Sequence, residues 1–404
     1  MIGNVAPEPH FNRTSRVLVT MALVALAIPA IWYAISPAAR HTTASDLLGY
    51  WSAARIFLDG GNPYDAVTVM DLQRQVGRND PLPLIMWSPP WLFACIFPLA
   101  FMPLWLARLA WFLSHLLLLI LSADWLWRYA RGAASGRVAA WVLAVSFVPA
   151  VITLNLGQVS VLLLAGMCLF LAALRHKRDF LAGAATFLIA LKPQVLFLFW
   201  VVLLLWIVQN RRWKVLAGAF LGLVVPSLFS LLLNPSIYSN YLHALDSEYG
   251  PLRWKTATLA TLLRIMFPSA GAWLQFLPAL TGLLLVIWLW WRRRQDFDWE
   301  AHLIPIALLS TVTAAYSWTF DWVVLLPAAI AIFGAFEQDP RRHFACLAAL
   351  FLSQALVVLT LHNIARYPAT FWFPAAVSIV YMLCVGTGRM GERLARSRPK
   401  TQHP

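Results

Sequence analysis

Long apolar runs separated by short polar connections extend along the chain from residue 17 to residue 388. Runs of about 18 or more apolar residues are typical of membrane-spanning helices, because the backbone inside a bilayer must satisfy its own hydrogen bonds. The pattern predicts an all-α polytopic membrane protein that forms a single integral membrane domain over residues 1–404. We predict about twelve spans, at 17–37, 105–127, 138–154, 158–174, 180–192, 194–210, 214–233, 272–291, 302–318, 321–336, 343–361 and 371–388.

The segment 88–104, SPPWLFACIFPLAFMPL, is apolar enough to cross a membrane but contains four prolines. Proline removes a helical hydrogen bond and kinks or breaks a helix. A full crossing here would also reverse the side on which every later basic connection lies. We therefore predict a re-entrant or broken helix that leads into the span at 105–127.

Composition supports a membrane protein, with 61% hydrophobic and 12% charged residues and a mean hydropathy of +0.69. The net charge of +14 does not indicate nucleic acid, because 21 of the 31 Lys and Arg residues lie in the segments predicted to be cytoplasmic and nine lie in the opposite loops. This asymmetry is the positive-inside rule. It predicts that both termini, including the basic tail 389–404, are cytoplasmic and that 17–37 is a retained helix.

The cysteines show no sequence pattern of a metal site. Cys95, Cys168, Cys346 and Cys384 all lie in apolar runs, and His343 has no partner at ligand spacing along the chain. We predict that the cysteines are small buried hydrophobes and that the protein uses neither a metal ion nor a cofactor.

The first outer loop, 38–87, begins with the polar segment SDLLGYWSAARIFLDGGNPYD. Ser45 is predicted as an N-cap with Asp46 in the first helical turn, a position where the helix dipole favours an acid. The following residues predict a short amphipathic helix on the membrane surface, and 65–76 predicts a second short helix. The apolar face would carry Leu47, Trp51, Ala54 and Leu58, and the polar face Ser52, Arg55 and Asp59.

A second unusual feature is Lys192 in the turn Lys-Pro-Gln. The thirteen residues 180–192 rise only about 20 Å as a helix, against a hydrocarbon core of about 30 Å, so Lys192 would end below the outer surface. A cation at that depth normally faces a cavity or an anion. Snorkelling is the ordinary alternative, and Pro193 argues against it by fixing a turn.

Further polar turns lie on the same predicted side: Asn-Leu-Gly-Gln at 155–158, the loop 235–256, and Tyr-Ser-Trp-Thr-Phe-Asp at 316–321. Together these segments predict a polar site at the outer membrane face. Sugar transfer from a lipid phosphate would use the cation for the phosphate, the rings for the sugar and a carboxylate for the acceptor proton. Transport of an anion with a proton would use the same groups, and the residues alone leave both open.

Four segments, in order, resemble glycosyltransferase family 87: SDLLGYWSAARIFLDGGNPYD, SPPWLFACIFPLAFMP, NLGQVSVLLLAG and RHKRDFLAGAATFLIALKPQ. The resemblance covers roughly residues 17–336, and its specific parts are the first string and the Lys-Pro-Gln turn. It implies a C-type glycosyltransferase architecture in the bacterial inner membrane. It also implies a polyprenyl-phosphate donor of mannose or arabinofuranose, inverting transfer to a lipid or glycan acceptor, and no metal-nucleotide chemistry.

For the site, the resemblance implies Asp46 as the catalytic base, although the residues alone favour a helix-start acid. Lys192 and Arg55 are predicted to hold the donor phosphate. Family members often carry a His in the outer Ser-Trp turn, where this chain ends the turn with Asp321. Sugar and lipid contacts are predicted for Tyr50, Tyr64, Asp65, Gln158, Gln194, Trp318 and Asp321.

Two other functions are considered. A transporter or flippase of lipid-linked sugars would be indicated by internal repeats and by ionisable groups at mid-membrane depth. The sequence shows no repeat and no second deeply placed carboxylate. A non-catalytic membrane scaffold is disfavoured by the clustering of the outer polar turns.

Overall fold

A computed structural model describes residues 45–130, 132–247, 250–251, 254–268, 272–361 and 368–386. In these ranges the chain forms helices and turns, without a strand. The all-α membrane class is therefore confirmed. The predicted first span 17–37 and the basic tail 389–404 lie outside the described residues.

The helices are numbered here in chain order. They are α1 (Asp46–Leu58), α2 (Ala66–Gln75), α3 (Leu104–Tyr129), α4 (Arg137–Ser146), α5 (Val148–Leu156), α6 (Ser160–Arg175), α7 (Asp179–Ile189), α8 (Phe197–Asn210), α9 (Trp213–Leu233), α10 (Ile237–Leu245), α11 (Leu259–Met266), α12 (Leu277–Arg293), α13 (Trp299–Thr313), α14 (Leu326–Gln338), α15 (Pro340–Leu361) and α16 (Phe373–Val385). Short 3₁₀ segments lie at Ala134–Gly136, Ala272–Phe276 and Thr319–Leu325.

Six helices of the described residues are long and apolar enough to cross a membrane, or seven if the bent pair α4–α5 forms one crossing. The six are Leu104–Tyr129, Trp213–Leu233, Trp273–Arg293, Thr319–Gln338, Pro340–Leu361 and Pro368–Val385. The chain is thus a multi-pass membrane protein, but twelve spans are not confirmed. Four predicted spans are the shorter helices α6, α7, α8 and α13, of 16, 11, 14 and 15 residues.

The predicted span 138–154 is broken in two. Helices α4 and α5 meet at Phe147 with a bend of 57°. Pro149 occupies the second position of α5, where a proline is tolerated because its missing amide would have no helical partner. The free amide of Val148 donates instead to the side-chain oxygen of Gln354, 2.9 Å away. The break lets α5 end at the turn that carries part of the site.

The segment Pro90–Phe101 is a broken helix, as predicted, because one α-helical turn lies between two 3₁₀ turns. Its twelve residues would rise about 18 Å as an α-helix, too little to cross a bilayer. It packs against α1, where the rings of Phe57 and Phe93 stack at 4.1 Å and the Trp51 indole donates to the Met102 carbonyl at 2.9 Å.

Helix α1 is not amphipathic in the predicted way. Ser52, predicted on the polar face, is 0% exposed, whereas Leu58, predicted on the apolar face, is 40% exposed. The Ser52 hydroxyl donates to the Leu48 carbonyl of its own helix at 2.7 Å, which satisfies its polarity without water. Most of α1 is covered by α2, α3 and the 90–101 segment, so Asp46 projects from a buried helix rather than a surface one.

The continuous helix Thr319–Gln338, a 3₁₀ segment followed by α14, forms the centre of the molecule. It is almost entirely buried within the protein. Its 3₁₀ part packs on α5 and α6, and α14 packs on α15 and α16. The carbonyl of Phe320 accepts a hydrogen bond from the Thr153 hydroxyl of α5 at 2.7 Å, which holds this start of the helix in place.

Candidate active site

Four separate parts of the chain converge on one polar cluster. Asp46 begins α1, Gln158 follows the left-handed turn at Gly157, Lys192 follows α7, and Asp321 lies in the 3₁₀ segment before α14. All four residues come from segments that were predicted to lie on the same side of the membrane. The structure brings their side chains together in space.

Gln158 connects the cluster. Its Nε2 donates to Asp46 Oδ2 at 2.7 Å, and its Oε1 accepts from the Tyr50 hydroxyl and from Lys192 Nζ, both at 2.8 Å. An ammonium group only donates, so the Gln158 atom that faces Lys192 must be the oxygen. The amide nitrogen then faces Asp46. This arrangement holds Asp46 as a hydrogen-bond acceptor, which is the role of an ionised carboxylate.

Lys192 forms a buried ion pair with Asp321. Its Nζ lies 2.7 Å from Asp321 Oδ1 and 3.3 Å from the Ser160 hydroxyl, which itself donates to Oδ1 at 2.8 Å. The second oxygen of Asp321 accepts from the Trp318 backbone amide at 2.9 Å. Lys192 is 8% exposed and Asp321 is 0% exposed. A buried ion pair is tolerated when such additional hydrogen bonds satisfy the remaining lone pairs.

The two carboxylates of the cluster differ in character. Asp46 is partly exposed, and in the described part of the chain Gln158 is the one side chain that donates a hydrogen bond to it. Burial raises the pKa of Asp46, while the Gln158 hydrogen bond and the Lys192 charge oppose that rise. A carboxylate with a raised pKa is a better general base. Asp46 is therefore suited to proton transfer and Asp321 to holding Lys192.

The start of α1 is fixed against the turn after α5. Ser45 occupies the N-cap position, as predicted, but its hydroxyl accepts no hydrogen bond from an amide of its own helix and donates to the Leu156 carbonyl at 2.9 Å. Gly157 has φ +69°, and an added Cβ would lie 2.6 Å from Leu47 Cβ. The Trp111 indole donates to the Gly157 carbonyl at 2.8 Å. These contacts place Asp46 and Gln158 side by side.

Arg78 is a cation near the site that sequence analysis did not select. It is buried in the loop after α2, where it pairs with Asp80 at 3.1 Å and donates to the Leu82 carbonyl at 2.9 Å. Its charge lowers the pKa of Asp46, so it acts against the effect of burial.

Gly49, inside α1, is a sequence signal that could have pointed to this loop but was not used in the predictions. The Leu84 carbonyl oxygen would lie 2.7 Å from a Cβ at that position, so only glycine allows the loop to approach. The Gln73 side chain holds the same peptide, donating to the Leu84 carbonyl at 2.9 Å and accepting from its amide at 3.0 Å.

Aromatic rings lie beside the polar cluster. Lys192 Nζ lies 4.4 Å from the Phe320 ring centroid, and Phe320 stacks on Trp318 with ring centroids 6.1 Å apart. Trp318 contacts Trp254 at 5.9 Å, and Trp254 contacts Trp87 at 5.8 Å. Such rings offer flat apolar faces to a sugar or a lipid chain.

The remaining predicted site residues lie outside the cluster. Arg55 is about 13 Å along α1 from Asp46 and donates to the Ala100 carbonyl at 2.9 Å. Asp65 caps α2: its carboxylate accepts from the Thr68 hydroxyl at 2.6 Å and from the Thr68 amide at 2.8 Å, and these hydrogen bonds lower the pKa of Asp65. Gln194 is exposed.

Tyr64 and Asp65 line a different space, a cavity of about 420 Å³ between α2 and α10. The Tyr64 hydroxyl donates to the Ser88 carbonyl at 3.3 Å, and its ring lies 5.3 Å from that of Tyr241. None of the residues that line this cavity belongs to the polar cluster.

In this all-helical membrane protein, a partly exposed carboxylate lies beside a buried ion pair and aromatic rings, so the cluster has groups suited to proton transfer and to contact with a sugar. The sequence model of glycosyltransferase family 87 matches residues 88–303, just over half of the chain. The chain therefore belongs to glycosyltransferase family 87 and is a membrane glycosyltransferase, which confirms the resemblance. Gln158 and Lys192 lie within the matched range, whereas Asp46 precedes it and Asp321 follows it. No curated protein and no solved structure matches the chain.

Proposed function

We propose that the cluster is the active site of a C-type transferase that moves a mannose-like or pentose sugar from a polyprenyl-phosphate donor to a hydroxyl of a lipid or glycan acceptor. The reaction takes place at the outer face of the bacterial cytoplasmic membrane. The observation that carries the proposal is the Gln158 amide, which holds Asp46 as a proton acceptor 2.7 Å away. Family membership supports the reaction class.

Asp46 is the proposed general base. The acceptor hydroxyl oxygen attacks the anomeric carbon while its proton moves to Asp46, the bond from that carbon to the phosphate oxygen breaks, and polyprenyl phosphate leaves. Attack from the face opposite the phosphate inverts the anomeric configuration. The raised pKa of Asp46 and its partial exposure favour this role over that of a helix-start acid.

Lys192 is the proposed partner of the donor phosphate. Its ammonium group donates three hydrogen bonds, to Gln158, Ser160 and Asp321. The bond to Ser160 is the longest, at 3.3 Å. A phosphate oxygen that replaces Ser160 would gain a charge-assisted hydrogen bond and stabilise the charge on the leaving group. Asp321 then keeps the ammonium group in position. Arg55 lies about 13 Å along α1 from Asp46 and donates to the Ala100 carbonyl, so it is not part of the proposed phosphate contact.

The direct test is release of polyprenyl phosphate from a panel of polyprenyl-phosphate sugars by the purified protein. We expect turnover with at least one donor and an acceptor-dependent rate. Asp71→Asn is a matched control for Asp46→Asn, because Asp71 is exposed on α2 and lies outside the polar cluster. The proposal would be contradicted if no donor in the panel released polyprenyl phosphate, or if the wild type and Asp46→Asn were equally active.

One observation favours the alternative function, a transporter or flippase of lipid-linked sugars. Asp321 is a second, fully buried carboxylate, which the sequence analysis had not expected at depth. Its pairing with Lys192 gives the two charges that proton-coupled transport of an anion would need. Donor consumption distinguishes the functions, because a flippase moves its lipid across the bilayer without breaking the bond from sugar to phosphate.

The proposed orientation, with both termini cytoplasmic, has its own test. Asp59 and Ser135 are exposed positions on predicted opposite sides. We expect Asp59→Cys to react with an impermeant thiol reagent from outside and Ser135→Cys to be protected. The reverse pattern would place the whole cluster on the wrong side for an extracytoplasmic reaction.

A further inference from the structure

Three metal-ligating side chains meet away from the polar cluster. His343 and Cys346 lie near the start of α15, and Cys384 lies in the last turn of α16. One ligand atom from each residue lies within 4.8 Å of the other two. Cys384 Sγ is 3.3 Å from His343 Nδ1. Spacing along the sequence does not connect these residues, because Cys384 comes 38 residues after Cys346.

The geometry suits a tetrahedral ion. His343 and Cys346 are three residues apart on one helix, so their side chains project from the same face. Zinc binds thiolate sulfur at about 2.3 Å and imidazole nitrogen at about 2.0–2.1 Å, which places those two atoms about 3.6 Å apart in a tetrahedron. The distance between His343 Nδ1 and Cys384 Sγ is already close to this value. Small rotations of the side chains would bring Cys346 into the same shell.

The ligand chemistry selects the ion. Two thiolates and an imidazole prefer a soft or borderline ion such as Zn²⁺ to Mg²⁺ or Ca²⁺, which prefer oxygen. Two thiolates also neutralise the ion, and a neutral complex is the arrangement that an apolar surrounding favours. On the proposed topology this end of α15 is cytoplasmic, where thiols remain reduced instead of forming a disulfide.

We propose that His343, Cys346 and Cys384 bind one Zn²⁺ ion, which joins the start of α15 to the end of α16. Three protein ligands leave a fourth position for water. The site is separate from the polar cluster. Cys384 contacts the Ile332 carbonyl at 3.9 Å, and Ile332 lies eleven residues, or about 16 Å of helix, beyond Asp321. The ion would therefore hold together the helices around α14 and take no part in sugar transfer.

The test is cobalt binding to the full-length purified protein after removal of metal with a chelator. We expect one Co²⁺ per chain, with the absorption of thiolate-to-cobalt charge transfer, and its loss when Zn²⁺ is added. Cys346→Ser, Cys384→Ser and His343→Gln should each weaken binding at least tenfold. Cys168→Ser, a buried cysteine outside the cluster, should bind as the wild type does.

Thermal unfolding adds a second readout that does not depend on activity. Zn²⁺ should raise the unfolding temperature of the wild type and of Cys168→Ser, but not of Cys346→Ser or Cys384→Ser, because an ion stabilises only the state that binds it. Metal-free wild type and the variants should transfer sugar at equal rates, which also shows that the variants fold.

Three outcomes would overturn the proposal. The first is absence of the thiolate–cobalt absorption in the wild type. The second is the same stoichiometry in the triple variant His343→Gln/Cys346→Ser/Cys384→Ser, which would mean an adventitious ion only. The third is protection of Cys346 and Cys384 from alkylation until a reductant is added, because the two would then form a disulfide.

Discussion

Two clusters that each contain a carboxylate lie at different levels of the molecule and have different neighbours. Asp124, on α3, contacts the guanidinium groups of Arg128 and Arg137 and accepts from the Trp141 indole at 3.2 Å. It lies thirteen residues, or about 20 Å of helix, from Trp111, which marks the level of the Asp46 cluster. Asp46 instead accepts one side-chain hydrogen bond from a neutral amide.

The difference indicates which carboxylate can do chemistry. Both oxygens of Asp124 contact cations, so a proton gained there would cost two ion pairs. Asp46 keeps its Oδ1 free of hydrogen bonds from the described residues, and burial raises its pKa. A carboxylate of the first kind stabilises the fold, and one of the second kind can accept a proton from a substrate.

The largest expected effect comes from removing the proposed base, Asp46. Asp46→Asn keeps the size of the side chain but cannot take the acceptor proton, so turnover should fall about 10²- to 10⁴-fold. Unfolding temperature should change little. Asp124→Asn is the matched control from the other cluster, and its turnover per folded protein should stay near that of the wild type. Equal losses in the two variants would remove the distinction between the clusters.

The next effect tests the two partners of the ion pair separately. Lys192→Met removes the proposed phosphate contact and should slow transfer about 10- to 100-fold, since a hydrogen bond to a charged group is worth about 1.5–3 kcal/mol. Donor binding, measured with a polyprenyl-phosphate analogue, should weaken with it. Asp321→Asn should lose less, because the cation remains.

The double variant Lys192→Met/Asp321→Asn sharpens this test. If the pair serves folding alone, the double variant should regain the activity that each single variant lost, because no unpaired charge remains. We expect instead that it stays as slow as Lys192→Met.

A smaller effect is expected on the stability of the other cluster. Asp124→Asn should lower the free energy of unfolding by about 1–2 kcal/mol. The loss is limited because the side chains of Arg128 and Arg137 are 63% and 46% exposed, so water screens both ion pairs. Thermal unfolding in detergent measures it. A fall in turnover without a change in stability would mean that Asp124 belongs to the catalytic machinery.

The pH dependence has opposite signs for activity and stability at Asp46. Its folded-state pKa is raised, so the stability it contributes is present below its unfolded pKa and is lost as the pH rises through the folded value. Activity requires the ionised base and should be lost as the pH falls through that same raised pKa. Asp46→Asn should remove this acidic limb from its residual rate. An unchanged limb would assign it to another group.

Local features of the fold were predictable from adjacent residues. Ser45 and Asp46 mark a helix start, and the prolines of the 88–104 segment mark a broken helix, because both depend on the chemistry of neighbouring peptide groups. Coverage by distant segments was not predictable. The helical periodicity of α1 places Ser52 on the more polar face, but it does not show that other helices bury that residue.

The number of spans and the contacts within the site could not be predicted from the sequence, for related reasons. The apolar run 302–318 includes the turn Ala314–Trp318, which leaves the helix and approaches the site, so hydropathy alone overestimated the helix length. Lys192 was correctly singled out as a recessed cation, but its partner Asp321 lies 129 residues later. Spacing along the chain carries no information about such a contact.

The Lys192–Asp321 ion pair also has a consequence for biosynthesis. A ribosome adding roughly 5–20 residues per second needs about 6–26 s to make the 129 residues between them. During that interval Lys192 is in the growing chain without its counter-ion, whereas Gln158 and Ser160 have already been made and can accept from its ammonium group. Asp321 is thus the last residue of the polar cluster to be synthesised. A chain released before Asp321 is made would keep an uncompensated cation, a mark by which membrane quality control could distinguish incomplete copies from finished ones.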